Sequence, residues 1–260
     1  MMDSVNRTLY IPLHGKSFVS KKGIILHDAK AEEIWAAEGF ALRGKSASKW
    51  LSYYMGMRSA AFDRWLKANM EIMPEVTVLH LGCGMDSRIC RVGNGEHLWY
   101  DVDFPEVIEA RKRYYQETEH YNMVAADVCA PDWLEKISGN SAIVVMEGIS
   151  MYLNPEQLQS LMTRLCNRFE QVSLLMDCYT EFAAKASKYK NPINDVGVTK
   201  VYGLDDPKIL ESDRLTFRQE LDMTPDDLIN QLAGAEKLIF RKLYAGAVAR
   251  KMYRLYEYQT

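Results

Sequence analysis

Residues Val76 to Asp103 read VTVLHLGCGMDSRICRVGNGEHLWYDVD, and this stretch decides the fold. A short apolar run from Thr77 to Leu81 turns through Gly82-Cys83-Gly84, and a second run from His97 to Val102 ends at Asp103. Strands of a parallel sheet are covered on both faces, so they read as short apolar runs separated by crossover helices rather than as alternating patterns. The rhythm continues downstream, with strands expected over Asn122 to Ala126, Ala142 to Met146 and Val172 to Met176. Helices are expected near 105–118, 132–137 and 155–169. Pro105 and Pro155 suit first helical positions, and Asn154 supplies a cap for the latter. A helix near 224–234 opens with Thr224 and Pro225, and an apolar run from Lys237 to Ala245 follows. Ala247 to Tyr258 fits strand and helix equally well, and the fold needs a strand there. The expected class is α/β: a mostly parallel, Rossmann-like sheet with helices on both faces.

Upstream, residues 28–39 read as a helix capped by Asp28 and stopped at Gly39. A second helix spans about 46–70, with an apolar stripe through Trp50, Leu51, Tyr54, Met55, Ala61, Phe62 and Trp65. Steps of three and four residues put Arg58 in the middle of that stripe, a cation where a core residue belongs. Residues 1–70 therefore read as a helical N-terminal cap, with Lys16 in a loop. Residues 185–221 break the rhythm at Pro192, Gly197, Gly203 and Pro207 and read as an insertion after strand five, over the active edge of the sheet. A plain surface loop is the alternative there. The expected organisation is a single domain over 1–260.

Composition narrows the function classes. With 48% hydrophobic residues among 260, the chain buries one full core. Its 32 basic and 35 acidic residues are interspersed, so no basic block suggests nucleic acid. The first twenty residues carry neither a signal-peptide run nor a spanning segment, so no membrane partner and a cytoplasmic location are expected. Five cysteines without a CxxC pair suggest neither a disulfide framework nor a metal site.

In an open α/β sheet, ligands bind beyond the carboxyl ends of the strands. Here those ends carry acids: Asp103 on the second, Asp127 on the third, Glu147 on the fourth and Asp177 on the fifth. Gly82 and Gly84 let backbone approach a ligand, and an acid about twenty residues later is placed to accept from ribose hydroxyls. Together these point to an adenosine-containing ligand. Asp101 competes with Asp103 for the ribose, and Asp103 alternatively caps the next helix. Glu147 follows five apolar residues of a central strand, where an unpartnered carboxylate is costly, so it needs a partner. A dinucleotide site calls for a third small residue where Ser87 stands, and Asp86 would face the phosphates. S-adenosylmethionine has no phosphate, and its carboxylate calls for a forked cation, for which Arg58 is the candidate. Arg58 alternatively neutralises an acid of the fold.

The run Val78 to Arg88, the run Asp101-Val102-Asp103-Phe104-Pro105-Glu106-Val107-Ile108 and the run Glu147-Gly148-Ile149-Ser150-Met151-Tyr152-Leu153 together resemble the leucine carboxyl methyltransferase superfamily. Within it they are most similar to polyketide O-methyltransferases of the tetracenomycin type. Thr8 to Leu13 and Asp28 to Ile34 extend the likeness over nearly the whole chain. The resemblance implies a class I methyltransferase fold, with a mostly parallel seven-stranded sheet, and S-adenosylmethionine as cofactor. It implies that Lys16 and Arg58 hold the methionine carboxylate, Gly82 packs on the methionine portion and Asp103 takes the ribose. Asp127 and Val128 would meet the adenine, and Glu147 the amino group. The N-terminal helices and the insertion would form the acceptor pocket, with Tyr53, Tyr54, Tyr152 and Tyr179 as candidate lining.

The chemistry expected is in-line methyl transfer to an oxygen of a small molecule by proximity and orientation, with no covalent intermediate. A carboxyl with pKa near 4 arrives ionised, whereas a phenol near 10 is about 3 units short at neutral pH, roughly 4 kcal/mol. None of the five histidines follows a strand end as a base would. This favours a carboxylate of a polyketide-like or other metabolite, giving a methyl ester. The alternatives are a protein C-terminal carboxyl methyltransferase, a silent S-adenosylmethionine-binding module and, disfavoured by Asp86 and Ser87, an NAD-dependent oxidoreductase.

Overall fold

The structure, a computed structural model, describes residues 6–190 and 200–260. Its strands are β1 Thr77–Leu81, β2 Trp99–Asp103, β3 Tyr121–Ala125, β4 Ser141–Met146, β5 Gln171–Tyr179, β6 Thr216–Glu220 and β7 Tyr253–Gln259. They form one sheet in the order β3-β2-β1-β4-β5-β7-β6. The first five run parallel, and β7 is antiparallel to both its neighbours. The helices are α1 Tyr10–Lys21, α2 Ala29–Glu38, α3 Lys49–Ile72, α4 Arg88–Val92, α5 Pro105–Arg111, α6 Pro155–Arg168, α7 Glu181–Lys190, α8 Asp226–Ile229, α9 Gly234–Leu243 and α10 Gly246–Arg250. None of them is long and apolar enough to cross a membrane.

Strand alternation divides the apolar side chains between two layers. Leu79, Leu81, Val144 and Met146 face Leu158, Leu161 and Leu165 of α6. Val78, Ile143 and Val145 face Phe62, Trp65 and Leu66 of α3. Each fully buried side chain of this kind contributes roughly 1.5–3 kcal/mol. The caps fall where the sequence places them. The Asp28 carboxylate accepts from the Ala31 N–H at 2.8 Å, Gly39 closes α2 in the left-handed region, and Asn154 with Gln157 forms a reciprocal cap on α6.

Several boundaries differ from the expectation. Residues 10–21 form a helix, so Lys16 lies in α1 and not in a loop. Pro12 sits in the first helical turn, where its missing N–H costs nothing. Gly15 lies where α1 crosses α3, and a Cβ there would stand 2.7 Å from the Cβ of Met55. Both residues look like helix breakers in sequence, yet one is harmless by position and the other permits close packing. Helix α5 ends at Arg111 rather than near 118, and α8 covers only part of 224–234. Strand β5 continues to Tyr179, which puts Asp177 inside the strand. Much of the 185–221 stretch is ordered scaffold, because it contains the end of α7 and all of β6, while Pro192 and Gly197 lie outside the described residues. The last segment holds both structures in turn, α10 and then β7.

Candidate active site

A cavity of about 620 Å³ lies at the carboxyl ends of β1, β2 and β4, roofed by α1, α3 and α7. Lys16, Arg58, Gly82, Gly84, Asp103, Asp127, Val128 and Glu147 all line it. So do Tyr54, Tyr152 and Tyr179. Tyr53 does not line it: one position round the helix turns its ring to Phe18 and Phe240, and its hydroxyl bonds Glu236 at 2.6 Å. Asp177, which the sequence grouped with the strand-end acids, is fully buried below the cavity.

The glycine bend forms the cradle. Gly82 has φ +64°, and a Cβ on it would stand 1.9 Å from Cγ2 of Ile149. Only glycine satisfies both constraints. Gly84, at φ +51°, donates its N–H to Oδ2 of Asp103 at 2.7 Å, and the Phe104 N–H donates to Oδ1 at 2.8 Å. Each oxygen keeps a second lone pair. Asp103 does not cap the next helix, whose N-cap is Phe104 and which has no side-chain cap bond; its carboxylate instead ties the glycine turn to the end of β2 and faces the cavity. Asp101 shares its face of β2 but lies two residues deeper, where Arg111, the Tyr121 hydroxyl and the Trp99 indole occupy it.

Burial raises the Asp103 carboxyl to about 6, despite the two backbone N–H groups that favour its charge. Its ionised form accepts hydroxyl hydrogens, and protonation removes one acceptor. A ligand held through Asp103 should lose affinity as pH falls below about 6, approaching tenfold per unit. Titration of S-adenosylhomocysteine by calorimetry across that range checks this, and Asp103→Asn should flatten the profile.

Beneath the cavity lies an ionic network. Arg58 donates from Nε to Glu147 at 3.1 Å and from Nη1 to Asp177 at 2.8 Å and to the Tyr253 hydroxyl at 3.2 Å. Its Nη2 has no acceptor among the described residues. Arg58 thus neutralises two acids of the fold, with Nη2 not spent on either. Glu147 has the partners its position demanded: Arg58, the Ser59 hydroxyl at 2.9 Å and Nη2 of Arg88. Burial would raise its pKa, but Arg88, Arg58 and Lys16 prevail and hold it at about 2.

Arg88 has no signal in the sequence that marks it as part of the site. It is fully buried and binds Asp63 at 2.8 Å as well as Glu147, with Asp86 at 3.3 Å. Arg91 joins Asp63, Asp86 and Asp28, which ties the cap of α2 to the turn after β1. An arginine opening a helix reads as solvated surface in sequence, and only the packing of α3 against α4 shows it covered. Lys16 bonds Asp86 at 3.1 Å, and this acid is held ionised by Arg91, Lys16 and Arg88 against the burial that would raise it. Its charge is already balanced by Lys16, Arg88 and Arg91, so Asp86 would not by itself repel a phosphate.

The far half of the cavity is apolar, lined by Ile11, Leu51, Met55, Met151 and Met252 with the tyrosines. Tyr253 sits at the junction, its ring edge-on to Tyr179 at 4.7 Å. No good proton acceptor lines this half among the described residues. Burial lowers the pKa of His80, which is tied to Asp101 at 3.2 Å, and burial pushes the Tyr54 and Tyr152 phenols well above their ordinary range.

The model of the family described as leucine carboxyl methyltransferase matches residues 9–166, which spans every strand-end acid but Asp177 together with Lys16 and Arg58. The chain belongs to the leucine carboxyl methyltransferase family. As a member it is an S-adenosylmethionine-dependent methyltransferase. It is 28% identical to the tetracenomycin polyketide synthesis O-methyltransferase of Streptomyces glaucescens over 99% of this chain and 97% of that one. It is 26% identical to an S-adenosyl-L-methionine-dependent methyltransferase of Gibberella zeae over 65% of this chain and 62% of that one. Among solved structures it is similar to the magnesium protoporphyrin IX methyltransferase of Synechocystis PCC 6803 with bound SAH. That match has a TM-score of 0.52 at 12% identity, covers 88% of this chain and 92% of that one, and speaks to the fold alone. The class I methyltransferase fold expected from Val76 to Asp103 is the fold observed.

Proposed function

We propose that this family member methylates a carboxylate oxygen of a small, largely apolar metabolite, giving a methyl ester. The observation that carries the reading is the single cavity. It joins the acid- and glycine-lined strand ends to a half lined by methionines and tyrosines, and among the described residues that second half offers no group able to take a proton. A carboxylate acceptor needs none, because it arrives ionised.

The donor, S-adenosylmethionine, fits the residues present and supplies an electrophilic methyl group when bound. The free arm of Arg58, with Lys16, suits its carboxylate, and Glu147 its ammonium. Asp103 suits the ribose, Asp127 and Val128 the adenine, and the Gly82 bend the thioether chain. Tyr54, Tyr152 and Tyr179 would flank the acceptor. These residues orient two reactants and exclude water. Because the charges of acceptor and donor cancel as the bond forms, a dry site lowers the barrier relative to water.

The test is a labelled-methyl assay over carboxylate and phenolic metabolites, followed by mild alkali. A methyl ester should release its label as methanol, and an alkali-stable product would identify a methyl ether and remove the carboxylate reading. Turnover of a protein C-terminus rather than a metabolite would also remove it.

A further inference from the structure

The apolar run from Lys237 to Ala245 has no role in the cavity, and its structure points outward. Phe240 is buried against Tyr53 and Tyr244, so α9 is anchored along that side. The opposite side exposes Leu238 (69%), Ile239 and Leu243 (54%), and α10 with the turn after it adds Val248 and Met252. Between residues 237 and 256 the chain has six basic residues and no acid. Arg241 is paired with Asp226, and Arg250 and Arg254 with Glu220. Lys237, Lys242 and Lys251 make no ion pair among the described residues; the first two extend from α9, and Lys251 lies in the turn after α10, beside Met252.

This surface continues into the cavity. Met252 is both exposed and part of the cavity lining. Phe182, 64% exposed, precedes the lining residue Ala183, and the Thr180 hydroxyl beneath it donates to the Lys251 carbonyl at 2.7 Å. An apolar and cationic rim thus borders the mouth of a pocket that is itself apolar.

We infer that α9, α10 and the Phe182–Met252 rim seat the protein on an anionic lipid surface, with the cavity mouth facing the bilayer. Apolar side chains interleaved with free lysines are the composition of a helix that lies in the lipid interface, and Glu236, the one acid of the two helices, is already paired with Lys22 and Lys49. Such a seat is peripheral, so the absence of a spanning helix does not bear on it. It would let a bilayer-dissolved acceptor reach the tyrosine-lined half without crossing water. The seat stands whether or not the acceptor is a carboxylate.

The experiment is sedimentation of the full chain with phosphatidylcholine vesicles and with vesicles containing phosphatidylglycerol, at low and high salt. Three lysines at about fivefold each predict an anionic preference of about 100-fold, lost in high salt. The triple variant Lys237→Glu, Lys242→Glu, Lys251→Glu should abolish that preference. Leu238→Ser with Leu243→Ser should weaken binding to both vesicles. Lys237 is half-buried, the other four positions are exposed and all five lie outside the cavity, so folding and binding of S-adenosylhomocysteine should be unchanged. No binding to anionic vesicles at low salt, or binding indifferent to the lysines, would overturn the inference. So would capture by soluble polyglutamate without capture by vesicles, which would assign the surface to an acidic protein.

Discussion

Arg88→Met should destabilise the protein by about 3 kcal/mol near neutral pH, one of the largest losses available from a single side chain. The guanidinium is fully buried, lies over the ring of Phe62, and serves Asp63, Asp86 and Glu147 at once. Removing it leaves three buried carboxylates short of a cation. Each retains another, Arg91 for Asp63 and Asp86 and Arg58 for Glu147, which keeps the loss at the lower end of the range for broken buried pairs. The pH dependence carries a sign. Glu147 is held at about 2, below its ordinary 4.5, so its ionic partners contribute stability above 4.5, and that contribution fades as pH falls toward 2. The gap between wild type and variant should therefore narrow on acidification. Urea unfolding at several pH values measures it, and a difference below about 1 kcal/mol at neutral pH would show that the network is not built around Arg88.

Arg58→Ala should weaken binding of S-adenosylhomocysteine by about 10- to 100-fold, since a hydrogen bond between charged groups contributes about 1.5–3 kcal/mol. Its Nε and Nη1 are spent on Glu147 and Asp177, which leaves only Nη2 for the ligand carboxylate. Arg58→Lys separates the two duties. It restores a charge between the acids but not the fork, so it should recover stability more fully than affinity. Calorimetry and urea unfolding on both variants give the two readings. Unchanged affinity in a folded alanine variant would make Arg58 purely structural.

The parallel sheet was legible because its buried strands are mostly apolar runs, and Leu81-Gly82-Cys83-Gly84 followed by Asp103 marks one rim of it. Arg58 was legible because helical phase puts a cation among core residues. What was hidden depends on contacts distant in sequence. Pro12 and Gly15 look like breakers until α3 packs on α1, and Arg88 looks solvated until Asp63 and Glu147 meet it. Tyr53 and Tyr54 differ by one helical step, enough to send one ring into the cavity and the other against α9, and nothing local in the sequence says which. Strand β6, with Thr216, Arg218 and Gln219 exposed, lies at the sheet edge and has little of the apolar signal that betrays the central strands.

The central claim is that one cavity holds the methyl donor along the acids of the strand ends, with the cation of α3 completing it. A crystal structure with S-adenosylhomocysteine tests it most directly. The account predicts ribose hydroxyls on Asp103, the thioether chain across Gly82 and the ligand carboxylate on Nη2 of Arg58. A ligand bound away from Asp103, or one leaving Nη2 of Arg58 without a contact, would contradict it.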